Sequence, residues 1–138
     1  EVILKKYSPI GELGDFAKEY ADSLYESLNH VTLISDRDTF IAISGGSKKE
    51  FQEKPVGELI ESCMEERKIR TETNSGEYEI IKGHSETYST FVIAPIVASG
   101  DPIGSVVLIN KNEGAKMGDL EVKMAETAAG FLAKQMEQ

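Results

Sequence analysis

The pattern of apolar positions is most regular between Tyr88 and Asn110. Two runs rich in β-branched residues flank the turn sequence Ser99-Gly100-Asp101-Pro102, which predicts a β-hairpin with a short loop. In the first run, Phe91, Ile93 and Val97 lie on one face and Val92, Ala94 and Ile96 on the other. A strand that is apolar on both faces is covered on both, so we expect this hairpin in the middle of a sheet. Pro95 cannot donate to a ladder and predicts a bulge or an unpaired side.

Amphipathic helices are predicted at both ends of the chain. Ser8-Pro9 is typical of a helix start, with Ser as the N-cap and Pro at the first helical position. The apolar positions that follow, spaced by three and four up to Asn29, are Ile10, Leu13, Ala17, Tyr20, Ala21, Leu24 and Leu28. A second helix is predicted to begin at Gly118-Asp119 and to run from Leu120 to about Met136. Its apolar positions are Leu120, Met124, Ala128, Phe131, Leu132 and Met136.

The segment between the first helix and the central hairpin begins with a second predicted hairpin. Its strands cover 30–35 and 39–44, joined by the charged turn Asp36-Arg37-Asp38. Residues 45–49 are predicted to form a loop. Pro55 is then expected to open a short helix with Val56, Leu59, Ile60, Cys63 and Arg67 on one side. Residues 69–83 are polar and poorly periodic, so a loop-rich segment with one edge strand, near Tyr78–Ile81, is predicted.

These elements together predict an α+β fold. We expect an antiparallel sheet with the N- and C-terminal helices packed on one face, and a shorter helix and loops on the other. The length of 138 residues suits one domain, and 40% apolar residues are enough for a core. The chain starts at Glu1 inside an apolar segment, Val2-Ile3-Leu4. We therefore expect residues 1–138 to be one domain of a longer protein.

Composition narrows the class of function. The net charge of −9 argues against phosphate-gripping nucleic-acid binding by this chain, which requires clustered Lys and Arg. No apolar run approaches the roughly 20 residues of a membrane span, and no signal peptide is recognisable. Cys63 is the single cysteine, so no internal disulfide can form. A cytoplasmic location is expected.

Three segments resemble the GAF family. Leu33-Ile34-Ser35-Asp36-Arg37-Asp38, leading into a second strand, is similar to the opening of a GAF domain. Ala94-Pro95-Ile96 and, after Gly100, Ile103-Gly104-Ser105-Val106-Val107-Leu108 match the family pattern of apolar-Pro-apolar followed by Ile-Gly-x-apolar. GAF and PAS domains share an architecture, but the Pro and Ile-Gly elements favour GAF. The resemblance extends from the first predicted helix to the last.

The resemblance also implies partners. Within the GAF family, the chain most resembles the C-terminal domains of bacterial sporulation transcription regulators. In those regulators a separate, small N-terminal domain of the AbrB type binds DNA. This implies a homo-oligomer, a dimer or tetramer joined through its terminal helices, with DNA contacted only by an N-terminal domain outside this chain. No membrane partner is implied. The residues expected at the oligomer interface are Leu13, Tyr20, Leu24, Leu28, Met124, Phe131 and Met136.

A small-molecule ligand is the second implied partner. GAF domains hold ligands between the sheet and the connecting helices and loops. An apolar cavity with few polar groups has the general form of such a site. The residues expected to line it are Phe40, Ala42, Phe51, Leu59, Ile60, Phe91 and Ile93. The same side chains are also compatible with a pocket that the chain fills itself, which would leave a purely structural oligomerisation domain.

Catalytic, metal and cofactor chemistry finds little support in the residues. Cys63 lies on the apolar side of a predicted helix, where a thiol acts as a small hydrophobe; a redox or catalytic GAF domain using Cys63 is the least favoured alternative. Asp36 and Asp38 are followed by Phe40 and Ile41 where a calcium loop needs ligands and Gly. No catalytic residue, metal site or cofactor is therefore predicted.

Two further motifs permit ligand binding but have simpler explanations. Residues 45–48, Gly-Gly-Ser-Lys, offer backbone N–H groups to an anion but lack the spacing of a P-loop. Asn110-Lys111 with Asp119 and Glu121 partly resembles the signature of cyclic-nucleotide-binding GAF domains. Met117 stands where that signature has Phe, and an acidic helix start explains the two carboxylates.

Overall fold

The computed structural model describes residues 14–136. In chain order its elements are α1 (Gly14–Leu28), β1 (Val31–Asp36), β2 (Phe40–Ser44), α2 (Lys48–Phe51), α3 (Glu58–Glu66), β3 (Arg70–Glu72), β4 (Gly76–Ile81), β5 (His84–Tyr88), β6 (Thr90–Ala98), β7 (Asp101–Asn110) and α4 (Asp119–Met136). The two predicted hairpins and the two amphipathic helices are confirmed. The predicted start of the first helix, at Ser8-Pro9, lies outside the described residues. No helix within residues 14–136 is both long and apolar enough to cross a membrane.

The main sheet has five strands in the order β2-β1-β7-β6-β3. All its pairings are antiparallel, and β7 lies at the centre between β1 and β6. The hairpin predicted from the apolar pattern is thus the middle of the sheet. Strands β4 and β5 form a separate antiparallel pair.

Each face of the main sheet carries its own core. The helix-side core lies against α1 and α4 and consists of Ala17, Ala21, Leu24, Ile34, Ala42, Val92, Ala94, Ile96, Ala98, Ile103, Val106, Leu108, Met117, Ala125, Ala128, Ala129, Leu132 and Ala133. The opposite-side core lies against α3 and the β4–β5 pair and consists of Leu33, Phe40, Ile43, Phe51, Val56, Ile60, Cys63, Met64, Ile80, Ile81, Tyr88, Phe91, Ile93, Val107 and Ile109. This is the predicted α+β arrangement, with the terminal helices on one face.

The segment 69–83 is more regular than the sequence predicts. It contains β3, an edge strand of the main sheet, and β4, the first strand of the separate hairpin. The strand predicted near Tyr78–Ile81 is present as β4, but it pairs outside the main sheet, and the loops predicted around it are wrong for β3. Most side chains of β4 and β5 are exposed or half-buried, and only Ile80, Ile81 and Tyr88 are buried. Backbone pairing, rather than an alternating apolar pattern, holds these strands together, so hydrophobic periodicity gives no signal.

The short helices also begin later or elsewhere than predicted. Lys48 and Lys49, predicted as the end of a loop, instead begin α2, in which the backbone N–H of Glu50 donates to Ser47 Oγ at 3.3 Å. Helix α3 starts at Glu58 rather than at Pro55, because Val56 pairs with Ile81 of β4. The N-cap is Gly57, whose N–H donates to Ile80 O at 2.8 Å.

Pro95 lies in a part of β6 that has a neighbour on one side only. Strand β3 pairs with residues 91–93 and leaves the rest of β6 as a sheet edge on that side. Prolines are tolerated at such edges because no ladder hydrogen bond is lost there. The bulge of this hairpin lies further along, where Ile96 faces Gly104 and Val97 faces Pro102.

Gly104 marks a close approach of β7 to β1. A Cβ atom on this residue would overlap the carbonyl oxygen of Ser35. On the next pair of the ladder, the hydroxyls of Ser35 and Ser105 are 2.6 Å apart and fully buried. Only a residue without a side chain lets the two strands pair in this register. The Ile-Gly motif noted in the sequence thus has a steric cause.

We expect Gly104→Ala to lower the free energy of unfolding by about 1–3 kcal/mol, the usual cost of forcing a methyl group into a filled site. Gly130→Ala is the matched control, because an added Cβ on this helical residue meets no atom within 4 Å. Since Ala favours a helix over Gly, the control should gain roughly 0.5–1 kcal/mol. Urea denaturation at one chain concentration measures both changes. An unchanged stability for Gly104→Ala would contradict the steric explanation.

Candidate functional site

Six of the seven residues predicted to line a ligand pocket lie together on the opposite side of the sheet. Phe40, Phe51, Ile60, Phe91 and Ile93 belong to the opposite-side core, and Leu59 packs against it. Four of them, Phe40, Ile60, Phe91 and Ile93, have no exposed surface. The rings of Phe40 and Phe51 meet edge to face with centroids 5.9 Å apart, and Tyr78 packs on Phe91 at 4.8 Å. These side chains fill the space between sheet and helix with one another.

Ala42 is the exception, because it lies in the helix-side core. The pairing of β1 and β2 is irregular: Ile34 faces Ala42, whereas the next residue, Ser35, faces Phe40. Ile41 is thus an extra residue on β2, and such a bulge reverses the alternation of faces. Phe40 and Ala42 therefore point to opposite sides of the sheet. Sequence spacing alone would place them together.

The predicted interface residues are distributed between the surface and the core. Tyr20, Leu28, Met124 and Met136 are half-buried and pack against the helix-side core, while Leu24 belongs to it and is only 2% exposed. Leu13 lies outside the described residues. Leu24 therefore serves the fold of the single chain and leaves no surface for a partner.

An aromatic cluster joins the two terminal helices at the surface. The ring of Phe131 on α4 lies 5.4 Å from that of Phe16 and 5.3 Å from that of Tyr20, both on α1. Phe16 is 39% exposed, whereas Phe131 and Tyr20 are half-buried. Phe16 is absent from the predicted set because it lies off the main apolar stripe of its helix. Its partner on the other helix is what brings it into the cluster.

Two of the residues that resemble a cyclic-nucleotide signature, Asn110 and Glu121, are bound to the chain itself. Asn110 Nδ2 donates to His30 Nδ1 at 2.9 Å, and Asn110 Oδ1 accepts from the N–H of Asn112 at 2.8 Å. Glu121 accepts from the N–H of Gly118 at 2.7 Å and lies 3.7 Å from His30 Nε2. These contacts tie the end of β7 and the start of β1 to the first turn of α4.

Lys111 fastens the same strand end to two other elements. Its Nζ lies 3.1 Å from Glu50 of α2 and 3.1 Å from Glu86 of β5, and 5.5 Å from the ring centroid of Tyr88. Burial disfavours the charged ammonium, but the hydrogen bonds to Glu86 and Glu50 outweigh it and raise the pKa of Lys111. The same hydrogen bond from Lys111 lowers the pKa of Glu86. Lys111 therefore acts as a charged clamp.

The glycine-rich loop and the acidic turn have structural partners as well. Gly45 has φ of +82° and packs against the ring of Tyr25, and Ser47 caps α2. A cavity of about 360 Å³ lies beside this loop. Asp36 Oδ1 accepts from the backbone N–H groups of Asp38 and Thr39 at 2.7 and 2.8 Å, as in a charged hairpin turn. Within residues 14–136, no group of three or more His, Cys, Asp or Glu side chains is placed to hold a metal ion.

Cys63 is a buried thiol with backbone partners. It is 3% exposed, and its Sγ donates to the carbonyl oxygens of Lys68 at 2.8 Å and Ile93 at 3.5 Å. Burial raises the pKa of this thiol to about 11. Because the thiolate is the reactive form, Cys63 is a weak nucleophile near neutral pH.

Comparison with solved structures identifies the fold. The GAF domain of a phosphoenolpyruvate-protein phosphotransferase from Coxiella burnetii aligns with a TM-score of 0.73 and 19% identity, covering 90% of this chain and 82% of that one. A type II free methionine-R-sulfoxide reductase from Thermoplasma acidophilum aligns with a TM-score of 0.70 and 13% identity, over 92% and 94% of the two chains. The cofactor binding GAF domain of the nutrient sensor CodY from Clostridium difficile gives a TM-score of 0.60 and 13% identity, over 86% and 83%. The chain has the GAF fold.

Sequence comparison identifies the family within that fold. Residues 12–137 match the family described as stage V sporulation protein T C-terminal, transcription factor. The chain is 54% identical to stage V sporulation protein T of Bacillus subtilis (strain 168) over 138 residues, which is all of this chain and 76% of that protein. The chain therefore belongs to the family of the stage V sporulation protein T C-terminal domain, a transcription factor family with the GAF fold.

Proposed function

We propose that this chain is a non-enzymatic regulatory domain of a cytoplasmic sporulation transcription regulator, and that it assembles with its own copies through the terminal helices. Membership of a transcription factor family supports the regulatory role. The observation that carries the assembly is the aromatic cluster of Phe16, Tyr20 and Phe131, which spans α1 and α4 and remains partly at the surface.

Aromatic side chains dominate the binding energy of many interfaces, because each ring buries a large apolar area at little entropic cost. Helices α1 and α4 both pack on the sheet, so every copy of the chain presents the same aromatic patch. Such a patch suits a two-fold interface, in which the helix pairs of two chains form a bundle. Met136 follows on the same helix and is half-buried, which extends the apolar edge.

DNA contact is assigned to a part of the regulator outside residues 1–138. The chain has 24 acidic and 15 basic residues. A duplex repels such a net charge, since nucleic-acid binding depends on Lys and Arg replacing counterions at the phosphates. In this proposal the domain acts on DNA indirectly, by fixing the number and spacing of the attached DNA-binding domains.

The apolar pocket is proposed to be self-filled rather than open to a sensed ligand. Phe40, Phe51 and Phe91 are at most 2% exposed, and they occupy the volume that a ligand would need. A ligand at this position would have to displace core side chains, at a cost of several kcal/mol. This favours the structural version of the pocket over sensing at that position.

The aromatic cluster is tested by Phe131→Asp. A carboxylate in place of the ring should weaken self-association by about 2 kcal/mol or more, the usual effect at an interface hot spot. Light scattering at micromolar chain concentration should then report the mass of a single chain, against a multiple of it for the unsubstituted protein. Phe16→Asp tests the same cluster with less risk to the fold, because Phe16 is the most exposed of the three rings.

Leu120→Asp is the matched control for this experiment. Leu120 is 62% exposed on the first turn of α4, far along the helix from Phe131. The same apolar-to-acidic change there should leave the mass unchanged. If the unsubstituted chain is a monomer, or if Phe16→Asp and Phe131→Asp keep its full mass, assembly through the helices is excluded.

The proposal that Cys63 is not catalytic predicts a thiol that reacts slowly in the folded chain. The folded chain should react with a thiol reagent near neutral pH far more slowly than the chain in urea, because the pKa of Cys63 is raised by burial. The folded state holds this proton more tightly than the unfolded state does. The resulting stabilisation is complete below about pH 9 and is lost as pH rises towards 11.

Cys63→Ser provides the reference for that pH dependence. Lys and Tyr side chains titrate in the same range in both proteins, so the difference between the two unfolding free energies isolates the thiol. The difference should fall with pH between about 9 and 11. Rapid reaction of the native thiol near neutral pH would instead indicate an accessible, activated cysteine and would reopen the catalytic alternative.

A further inference from the structure

A groove on the opposite side of the sheet, remote from the aromatic cluster, has the character of a binding site. Its volume is about 440 Å³, and its walls come from α2 with the loop after it and from the turn between β4 and β5. The residues that define it, called the basic groove from here on, are Lys49, Lys54, Pro55, Ile81, Lys82 and His84. Nothing in the proposed oligomerisation uses this surface.

The two walls of the basic groove are fixed to each other by backbone contacts. The N–H of Lys82 donates to Pro55 O at 2.9 Å, and Val56 pairs with Ile81 in an isolated bridge. On the other side, the N–H of Phe40 donates to Lys54 O at 3.1 Å. The lysines are therefore carried by a preorganised backbone, which lowers the entropic cost of binding a ligand between them.

The charge of the basic groove is opposite to that of the whole chain. Three lysines and a histidine line it, with Glu50 as the single lining carboxylate. Glu50 is 3.1 Å from Lys111, which lies outside the groove lining and shares its single charge between Glu50 and Glu86. Glu79, on the adjacent strand, accepts from the N–H of Gly83 at 3.1 Å. In a chain of net charge −9, this concave surface is locally positive, and concave walls concentrate the field.

The lysines of the basic groove differ from others in the chain in their contacts. Elsewhere, Lys18 pairs with Asp22 at 2.6 Å and Lys111 is held by two glutamates. Lys49, Lys54 and Lys82 are exposed, and in residues 14–136 none of their ammonium groups forms a hydrogen bond or an ion pair. Their ammonium groups are therefore available to an anionic ligand.

We propose that the basic groove binds a small organic anion bearing phosphate groups, such as a nucleotide. The lysines supply point charges for the phosphates, and Pro55 and Ile81 give an apolar floor for the body of the ligand. Three cations in a concavity suit a small molecule better than a duplex, which typically engages about 6–10 phosphates along a surface. This adds a ligand site to the domain that is separate from its self-filled apolar core.

The test is a titration of the full chain with ATP, without Mg²⁺, followed by amide chemical shifts in NMR. The shifts should change at Ile81, Lys82, Gly83 and His84, and the double variant Lys54→Gln/Lys82→Gln should bind ATP about tenfold more weakly. Lys116→Gln/Lys123→Gln removes the same charge from two exposed lysines outside the basic groove and should bind normally. Inorganic pyrophosphate should compete at the same amides, because the lysines recognise phosphate.

Three results would overturn the proposal. The first is an absence of shifts at these amides with both ATP and pyrophosphate at millimolar concentration. The second is an equal loss of binding in the two double variants, which would mean that ATP responds only to total charge. The third is a short DNA duplex that shifts the same amides at lower concentration than ATP, which would assign the surface to nucleic acid. None of these results bears on the mass of the assembly, so the oligomerisation proposal is tested separately.

Discussion

Strand β7 must be covered on both faces, and the rest of the fold supplies those covers. Val106 and Leu108 point into the helix-side core, and Val107 and Ile109 point into the opposite-side core. Each such side chain contributes about 1.5–3 kcal/mol when it leaves water. Helices α1 and α4 provide one cover, while α3 and the β4–β5 pair provide the other. Gly104 belongs to the same constraint, because the two covers can form only if β7 pairs closely with β1.

The burial of β7 on both faces explains which parts of the fold can be predicted from the sequence. Strands buried on both faces are continuous apolar runs, and the terminal helices repeat every three to four residues, so both patterns are strong. The β4–β5 pair is half-exposed and polar, and its existence depends on backbone pairing that leaves no apolar periodicity. The side of the sheet on which Ala42 lies depends on the bulge at Ile41, which shifts the register of β2 against β1. No residue type in the sequence predicts this bulge. Apolar patterns therefore predict the strands and helices whose burial is uniform. They do not predict the elements whose position is set by backbone pairing between strands.

The candidate surfaces follow the same division. Leu24 and Tyr20 occupy one apolar stripe of α1, four residues apart, and sequence spacing cannot separate them. In the structure Leu24 is in the core and Tyr20 contacts Phe131, because the packing of α1 against the sheet and beside α4 decides which position reaches the surface. The sequence likewise gives no sign of the basic groove, since Lys54 and Lys82 are brought to one surface by the bridge of Val56 with Ile81 and by the hydrogen bond from Lys82 N–H to Pro55 O. The net charge of −9 predicts an acidic surface, whereas lysines predominate in the lining of this groove.

One polar chain of contacts runs from the basic groove to the helices. Glu50 lines the groove and binds Lys111; the neighbouring Asn110 binds His30; and His30 faces Glu121 on α4. A continuous chain of contacts does not by itself couple the groove to the helices. A ligand shifts the protein towards one arrangement only if it binds that arrangement better than another. In the proposed complex, a phosphate in the groove would repel the Glu50 carboxylate and so favour an arrangement in which Glu50 stays on Lys111. An anionic ligand would then stabilise the contacts through Lys111, Asn110 and His30 that join the end of β7 to the start of α4.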